Sequence, residues 1–371
     1  MASDRLEELP VVPKKSRERL NGRELVDYEH HRKKLFNWML DMGKNPDRAK
    51  GYSEETVRAR AYSLDRFYHW VWDEEGGYTT RVTTNHADQF TRDLVHSDHS
   101  RTHKANLQKS LKMLFRWRGD QFGEDPHWDP SITFADQGNK ATPRDYLTRE
   151  ERKLIREAAL EYGSVPHYNA VDPSERREWK RLLARRYGLT MDEVGKQEFE
   201  RANGFKIPSL VWVSIDAGLR PIEVERARVG WIDVENSVLR IPADESAKNE
   251  ESWTVSLRDK TADFLDLWIQ ERQLYDKYAD TELLWLTRQS NPYQSTSLKN
   301  LLQNLCDIAG IPYEDRQMTW YSIRHSVGTY MAREEGLAAA AAQLRHKSIR
   351  TTMKYDQAPP EDRRDALDRM G

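Results

Sequence analysis

WYSIRHSVGTYMAREEGLAAAAAQLRHKSIRTTMKYD, Trp320 to Asp356, is the stretch around which the rest of the chain is organised. Ile323, Val327 and Tyr330 mark an apolar face at helical spacing, and Arg324 and His325 sit on that helix. A second helical run, Leu337 to Leu344, ends in Arg345, His346 and Lys347. A short segment from Ser348 to Thr351 then leads to Tyr355. An Arg, a His and a Tyr therefore fall near helix boundaries, close to cationic side chains. A guanidinium grips phosphate with two parallel N–H donors and does not lose its proton. A phenol held among such cations is a candidate nucleophile towards phosphorus.

The 371 residues suit two domains, and 12 Trp, 16 Tyr and 9 Phe supply packed cores. Mean hydropathy is −0.90 and no long apolar run occurs, so no membrane span is expected. The N-terminal MASDRLEELPVVPKKSRERL lacks the apolar core of a signal peptide. A single cysteine, Cys306, excludes a disulfide framework and a Cys-rich zinc site, and its apolar helical setting reads as a core thiol. His96, His99 and His103 have passable ligand spacing but lie in a polar loop, so a solvated or DNA-facing cluster is expected and no metal. These features fit a reducing cytoplasm. Net charge is −2, without the global basic signature of a nucleic-acid binder. The distribution matters more. Arg101 to Arg118 carries Arg101, Lys104, Lys109, Lys112, Arg116 and Arg118 with no acid, and Arg345 to Lys354 is also free of acids. Such faces on a near-neutral chain hold DNA phosphates, and those six cations with Lys347 are the expected DNA contacts.

Residues 1–20 read as a flexible or loosely helical arm. Residues 21–122 read as a small all-helical domain. One helix runs from Glu24 with Leu35, Trp38 and Met39. A second, from Ser53, carries Val57, Leu64, Phe67 and Val71. A third is capped by Thr84, and a basic fourth runs from about His103 to Trp117. Residues 123–145 mix Pro, Asp and Gly without a period and are expected to be the linker. Thr148 to Glu151 is a capping box that opens the second domain, residues 146–371. The apolar run Leu210 to Ile215 leads to Gly218-Leu219-Arg220-Pro221-Ile222-Glu223, where Arg220 is expected to project before a new helix and Glu223 can hold a neighbouring basic group. Trp231 to Val234, Ser237 to Ile241 and Trp253 to Leu257 read as strands, with Lys248 in the loop between the last two. The fold class is thus mainly α with a small antiparallel sheet.

The C-terminal spacing resembles that of the tyrosine recombinases, the phage integrase family. There an H-x-x-R motif precedes L-G-H, and a nucleophilic Tyr follows nine residues after that His. Arg324 matches the Arg, His346 the His of L-G-H, and Tyr355 stands at the expected distance. Two positions depart: Tyr321 replaces the first His, and Arg345 replaces the Gly. The second is expected to cost little provided position 345 does not need positive φ. Gly218 to Glu223 resembles the G-L-R-x-x-E box, and the four helices in front resemble the core-binding domain, which clamps one face of a duplex. Residues 162–206 exceed the expected spacing between catalytic-domain helices, so they read as a helical insertion rich in Arg, with packing as its first role.

The resemblance implies a site-specific DNA recombinase without cofactor or metal. Tyr355 would attack the phosphodiester, Arg220 and Arg324 would hold the non-bridging oxygens, and Lys248 would protonate the leaving oxygen. His346 would hydrogen-bond the phosphate, and Tyr321 would act there as a neutral donor. His325 either assists this network or is a buried structural His. The tail, residues 356–371, would dock into a neighbouring protomer, giving a monomer in free solution and a tetramer on paired DNA sites. A DNA-binding regulatory or structural protein derived from a recombinase, and a type IB topoisomerase, are the alternatives.

Overall fold

The computed structural model describes residues 6, 9–125, 127–134, 145–247, 251–356 and 360–370. The chain forms two compact units, Met1–Asn139 and Lys140–Gly371.

The first unit is helical: α1 (Lys14–Arg19), α2 (Gly22–Asp41), α3 (Glu54–Glu74), α4 (Thr84–Val95) and α5 (Arg101–Phe122). The apolar sets expected from period 3.6 are its core: Leu35, Val57, Leu64, Phe67, Leu107 and Leu114 are all buried. The arm is not loose. Leu9, Val12 and Leu20 join this core, and the buried Arg32 guanidinium donates to the carbonyls of Val11 (2.9 Å) and Ala61 (3.0 Å). Ser16 Oγ donates to Asp65 at 2.6 Å, so α1 is bonded to α3. Part of the expected linker belongs to this unit too. Trp128 and Phe134 are buried, and Gln108 clasps the segment, its amide donating to the Ile132 carbonyl and its oxygen accepting from Phe134 N. The division at 139/140 falls within residues 123–145, in a part that lies outside the described residues.

The second unit is built around α9 (Lys206–Ala217), a helix that is apolar all round and therefore interior. It packs against α6 (Arg149–Tyr162), α11 (Asp259–Arg272) and α13 (Trp320–Gln343). The Thr148 capping box forms: Thr148 accepts from Glu151 N and Glu151 accepts from Thr148 N. Between α6 and α9, helices α7 (Pro173–Tyr187) and α8 (Lys196–Glu200) bury Trp179, Leu182, Leu183 and Phe199 in a small core of their own. Arginines of the insertion act in its packing: Arg176 donates to the Tyr168 and Val171 carbonyls, and Arg186 to Asn203 O and Glu271. After α10 (Pro221–Arg226), three antiparallel strands lie in the order β1 (Ile232–Asp233), β2 (Val238–Ile241), β3 (Trp253–Ser256). Leu239 faces Val255 across the pair, both buried, while Arg240 between Leu239 and Ile241 is exposed. In α12 (Ser295–Ala309), Cys306 is buried, and burial pushes its thiol up to about 11. α13 breaks at Gly336 (φ 85°, ψ 171°), which separates the two helical runs of the signature stretch. Among the described residues no helix is long and apolar enough to cross a membrane, and no three His, Cys, Asp or Glu side chains converge on a metal position.

Candidate active site

A cleft of about 360 Å³ in the second unit gathers Arg220, Tyr321, Arg324, His346, Lys347 and Tyr355. Three backbone features make it. Gly218 ends α9 at φ 58°, and a Cβ there would lie 2.6 Å from Leu344, so only glycine fits. Pro221 then starts α10 at its first position and Arg220 projects from the turn. On α13, Gly328 leaves room for the Tyr355 ring: a Cβ would come within 2.7 Å of Tyr355. Tyr355 ends a 3-10 turn (Met353–Tyr355) after α14 (Ile349–Thr352), packed on Val327 and Leu344.

Glu223 is the hub. Its carboxylate accepts from Arg220 N (2.7 Å), Arg220 Nη1 (2.6 Å), Arg345 Nε (3.1 Å) and Arg345 Nη2 (2.8 Å), and Arg324 Nη1 lies 4.0 Å away. Burial pushes the carboxyl up, but Arg345, then Arg220 and Arg324, outweigh it and hold it at about 2. One buried anion thus accepts from two guanidiniums and has a third 4.0 Å away. Arg324 is itself buried, donating to the carbonyls of Gly218 and Leu344. Burial, then Arg345 and Arg220, lower it to about 9, so it stays charged at neutral pH. Arg220 adds longer bonds to the Leu344 and Arg345 carbonyls.

Arg345 corrects the sequence expectation. Its φ is +56°, so the position does use the left-handed backbone for which glycine is suited. The strain is offset by the side chain, which is buried and donates to Ala217 O (2.8 Å), Gln343 O (2.7 Å) and Gly218 O (3.1 Å) besides Glu223.

His346 Nε2 lies 3.1 Å from Arg324 Nη2, and its Nδ1 lies 2.9 Å from Thr352 Oγ1. Arg324 can only donate, so Nε2 accepts and the proton sits on Nδ1. Burial, then Arg324 and Arg220, hold this imidazole at about 3, so it is neutral. His325 has two readings from the sequence, assistance and structure. Its Nδ1 lies 2.9 Å from Tyr355 Oη, which puts it beside the candidate nucleophile. Tyr321 lines the cleft, exposed, with its ring centroid 6.4 Å from that of His325. Lys248 lies outside the described residues; its neighbours Ala247 and Glu251 line the cleft. Lys347 lines it too and pairs with Glu251 at 3.1 Å. Spacing alone did not reveal Arg345 as a donor, Thr352, or how many groups Glu223 holds.

In the first unit the basic helix α5 divides. Arg101, Lys109 and Lys112 are exposed, and Lys104 is half-buried with its amine donating to Val95 O. Arg116 is half-buried and donates to Gly43 O and Tyr52 Oη. Arg118 departs from the expectation: it is buried, bidentate to Glu124 at 2.7 and 2.6 Å and bonded to Thr80 O, so it does not present a phosphate-facing surface.

Residues 197–361 match the sequence model of the phage integrase family. No curated protein sequence matches the chain. Among solved structures, the chain is similar to the XerH site-specific recombinase bound to palindromic difH substrate in a post-cleavage complex: TM-score 0.57, 15% identity, covering 94% of this chain and 88% of that one. The Tn1549 transposon integrase in complex with circular intermediate DNA gives TM-score 0.53 at 15% identity, covering 91% and 98%. A lambda integrase dimer bound to a COC′ core site gives 0.51 at 12%, covering 87% and 77%. These identities speak to the fold; the family match spans all the cleft residues named above. Residues 197–361 thus match the phage integrase family model, and the fold of the chain is similar to that of these solved recombinases and integrases.

Proposed function

We propose that the chain is a site-specific DNA recombinase that breaks and rejoins strands through Tyr355. The observation that carries this is the array of buried Glu223 and Arg324 with half-buried Arg220 and His346, beside a tyrosine whose hydroxyl lies 2.9 Å from an imidazole nitrogen. Tyr355 Oη attacks the scissile phosphorus as its proton passes to His325 Nδ1. A P–O bond to tyrosine forms and the P–O5′ bond breaks. The 3′ end stays on the enzyme and the 5′-oxygen leaves as a hydroxyl, with Lys248 as its proton donor. Arg220 and Arg324 stabilise charge on the non-bridging oxygens. They are already aimed, so little reorganisation is needed at the moment of reaction. The phosphotyrosyl bond conserves the energy of the phosphodiester, and attack by a 5′-hydroxyl of the exchanging strand reverses the step.

The DNA contacts of the first unit are assigned to Arg101, Lys104, Lys109 and Lys112. The enzyme is proposed to act in the cytoplasm, as a monomer in free solution and a tetramer on two paired sites. The helix Pro360–Met370 exposes Leu367 and Met370, an apolar edge suited to a neighbouring protomer. Incubating the enzyme with nicked duplexes cut from the DNA flanking its gene tests the function. A DNA–protein band stable to denaturing electrophoresis is expected. A band formed equally on unrelated DNA, with relaxation of unrelated supercoiled plasmid, would favour a topoisomerase; no band on any DNA would remove the strand-breaking activity. Truncation after Gln357 should leave single-site binding intact and weaken pairing of two sites; undiminished recombination would remove the tail from the assembly.

A further inference from the structure

A second cavity of about 360 Å³ lies away from the cleft, at the root of the insertion. Here the chain crosses itself. A Cβ on Gly163 would sit 2.4 Å from the Gly204 carbonyl oxygen, and one on Gly204 would sit 2.5 Å from that of Ser164. The insertion leaves and rejoins the domain at this crossing. The volume is at the small end of the range of about 300–1,000 Å³ usual for ligand sites.

The lining has two parts. Aromatic rings form walls: Tyr162, which is exposed, and Tyr275, Trp268 and Tyr293. Cations form the other part: Lys206 and Lys277, each partly buried, and the exposed Arg288. The amines donate only to successive main-chain carbonyls, Lys206 to Leu286 O at 3.4 Å and Lys277 to Thr287 O at 3.1 Å. Neither is ion-paired among the described residues. The one carboxylate in the lining, Glu271, is already held by Phe205 N (2.9 Å), Tyr275 Oη (3.1 Å) and Arg186 (3.4 Å). Burial, then the like charge of Lys277, lowers Lys206 to about 8 despite Glu271. Two ammonium groups thus line one cavity, neither ion-paired with its one carboxylate.

We propose that this cavity binds a phosphorylated ligand with a planar ring, of the nucleoside monophosphate class. The phosphate sits between Lys206 and Lys277, with Arg288 at the rim, and the ring lies against Tyr162 and Tyr275. Lysine binds phosphate as a point charge, and a dianion answers two of them where a carboxylate answers one. This site uses no residue of the cleft.

Calorimetric titration of the full chain with adenosine 5′-monophosphate tests it, with adenosine and inorganic phosphate as separate probes. The monophosphate is expected to bind with Kd below about 1 mM, and tighter than either other probe. Lys206→Met and Lys277→Met should each weaken it by about tenfold or more, the scale of removing one charge-assisted hydrogen bond, while Arg324→Ala leaves it unchanged. Melting curves of each variant check folding; should Lys206→Met fail to fold, Lys277→Met decides. Three results overturn the proposal: no binding of the monophosphate, binding no tighter than that of adenosine or of phosphate alone, or binding lost in Arg324→Ala and kept in the lysine variants.

Discussion

Replacing Arg345 by glycine restores the residue that the resembling motif carries, and it should nevertheless harm this protein. Two effects compete. Glycine relieves a φ of +56°, worth about 1 kcal/mol. Against that, five donated hydrogen bonds disappear, two of them to Glu223. Glu223 keeps Arg220 but loses half of its direct donors, while it remains about 1% exposed. Removing one partner of a buried ion pair costs about 3–5 kcal/mol. The net destabilisation is therefore about 2–4 kcal/mol. Arg345→Ala loses the same bonds and keeps the backbone strain, so it should be worse than the glycine variant by about 1 kcal/mol. Urea unfolding followed by tryptophan fluorescence measures both, with the shift confined to the transition of the second unit. Cleavage should fall with little change in DNA affinity, because Glu223 no longer holds Arg220 as firmly. A glycine variant as stable and as active as the parent would refute the reasoning and reduce Arg345 to a tolerated replacement.

Arg220→Ala and Arg324→Ala should each slow cleavage by roughly a hundredfold to a thousandfold, the cost of removing a preorganised donor; single-turnover cleavage of a nicked duplex reads this, and near-parental rates in either would break the assignment. The Glu223 carboxyl is held at about 2 against an ordinary 4.5, a depressed pKa. Its contribution of roughly 3 kcal/mol is present above pH 4.5 and lost as pH falls through about 2. The urea midpoint of the second unit should therefore drop steeply over that window, and Glu223→Gln should be less stable at pH 7 and show a flatter drop. Ala at Lys104, Lys109 and Lys112 together should weaken DNA binding and lower the salt dependence by about 0.9 in slope for each phosphate no longer neutralised; Arg118→Ala should act on stability instead. An unchanged slope in the triple variant would move the DNA off this helix.

Features set by local periodicity were legible in the sequence. Leu107, Leu111, Leu114 and Phe115 recur at helical spacing and all are buried. The turn at Gly218 to Pro221 was readable because only glycine and proline meet its backbone demands. What escaped depends on partners far along the chain. Leu9 and Val12 have no period of their own, and they are anchored by Arg32, whose acceptor Val11 is 21 residues away. Arg118 reads as one more cation in a basic run until the chain turns at Gly123 and brings Glu124 back onto it. Arg345 reads as a missing glycine because its acceptor Glu223 is 122 residues distant. Glu223 was expected to hold one basic group; only the folded arrangement brings three around it. His325 had two readings, and its contact with Tyr355, 30 residues on, appears only in the folded chain.

The measurement that bears most directly on the central claim is peptide mapping of the covalent adduct. The trapped DNA–protein complex is digested with nuclease and then trypsin, and the nucleotide-bearing peptide is identified by mass spectrometry. The adduct is expected on the peptide that begins at Tyr355, after cleavage at Lys354, with a 3′-phosphate link, and the Tyr355→Phe protein should bind DNA normally and yield none. An adduct that persists in Tyr355→Phe, or that maps to Tyr321 or any other residue, would contradict the account.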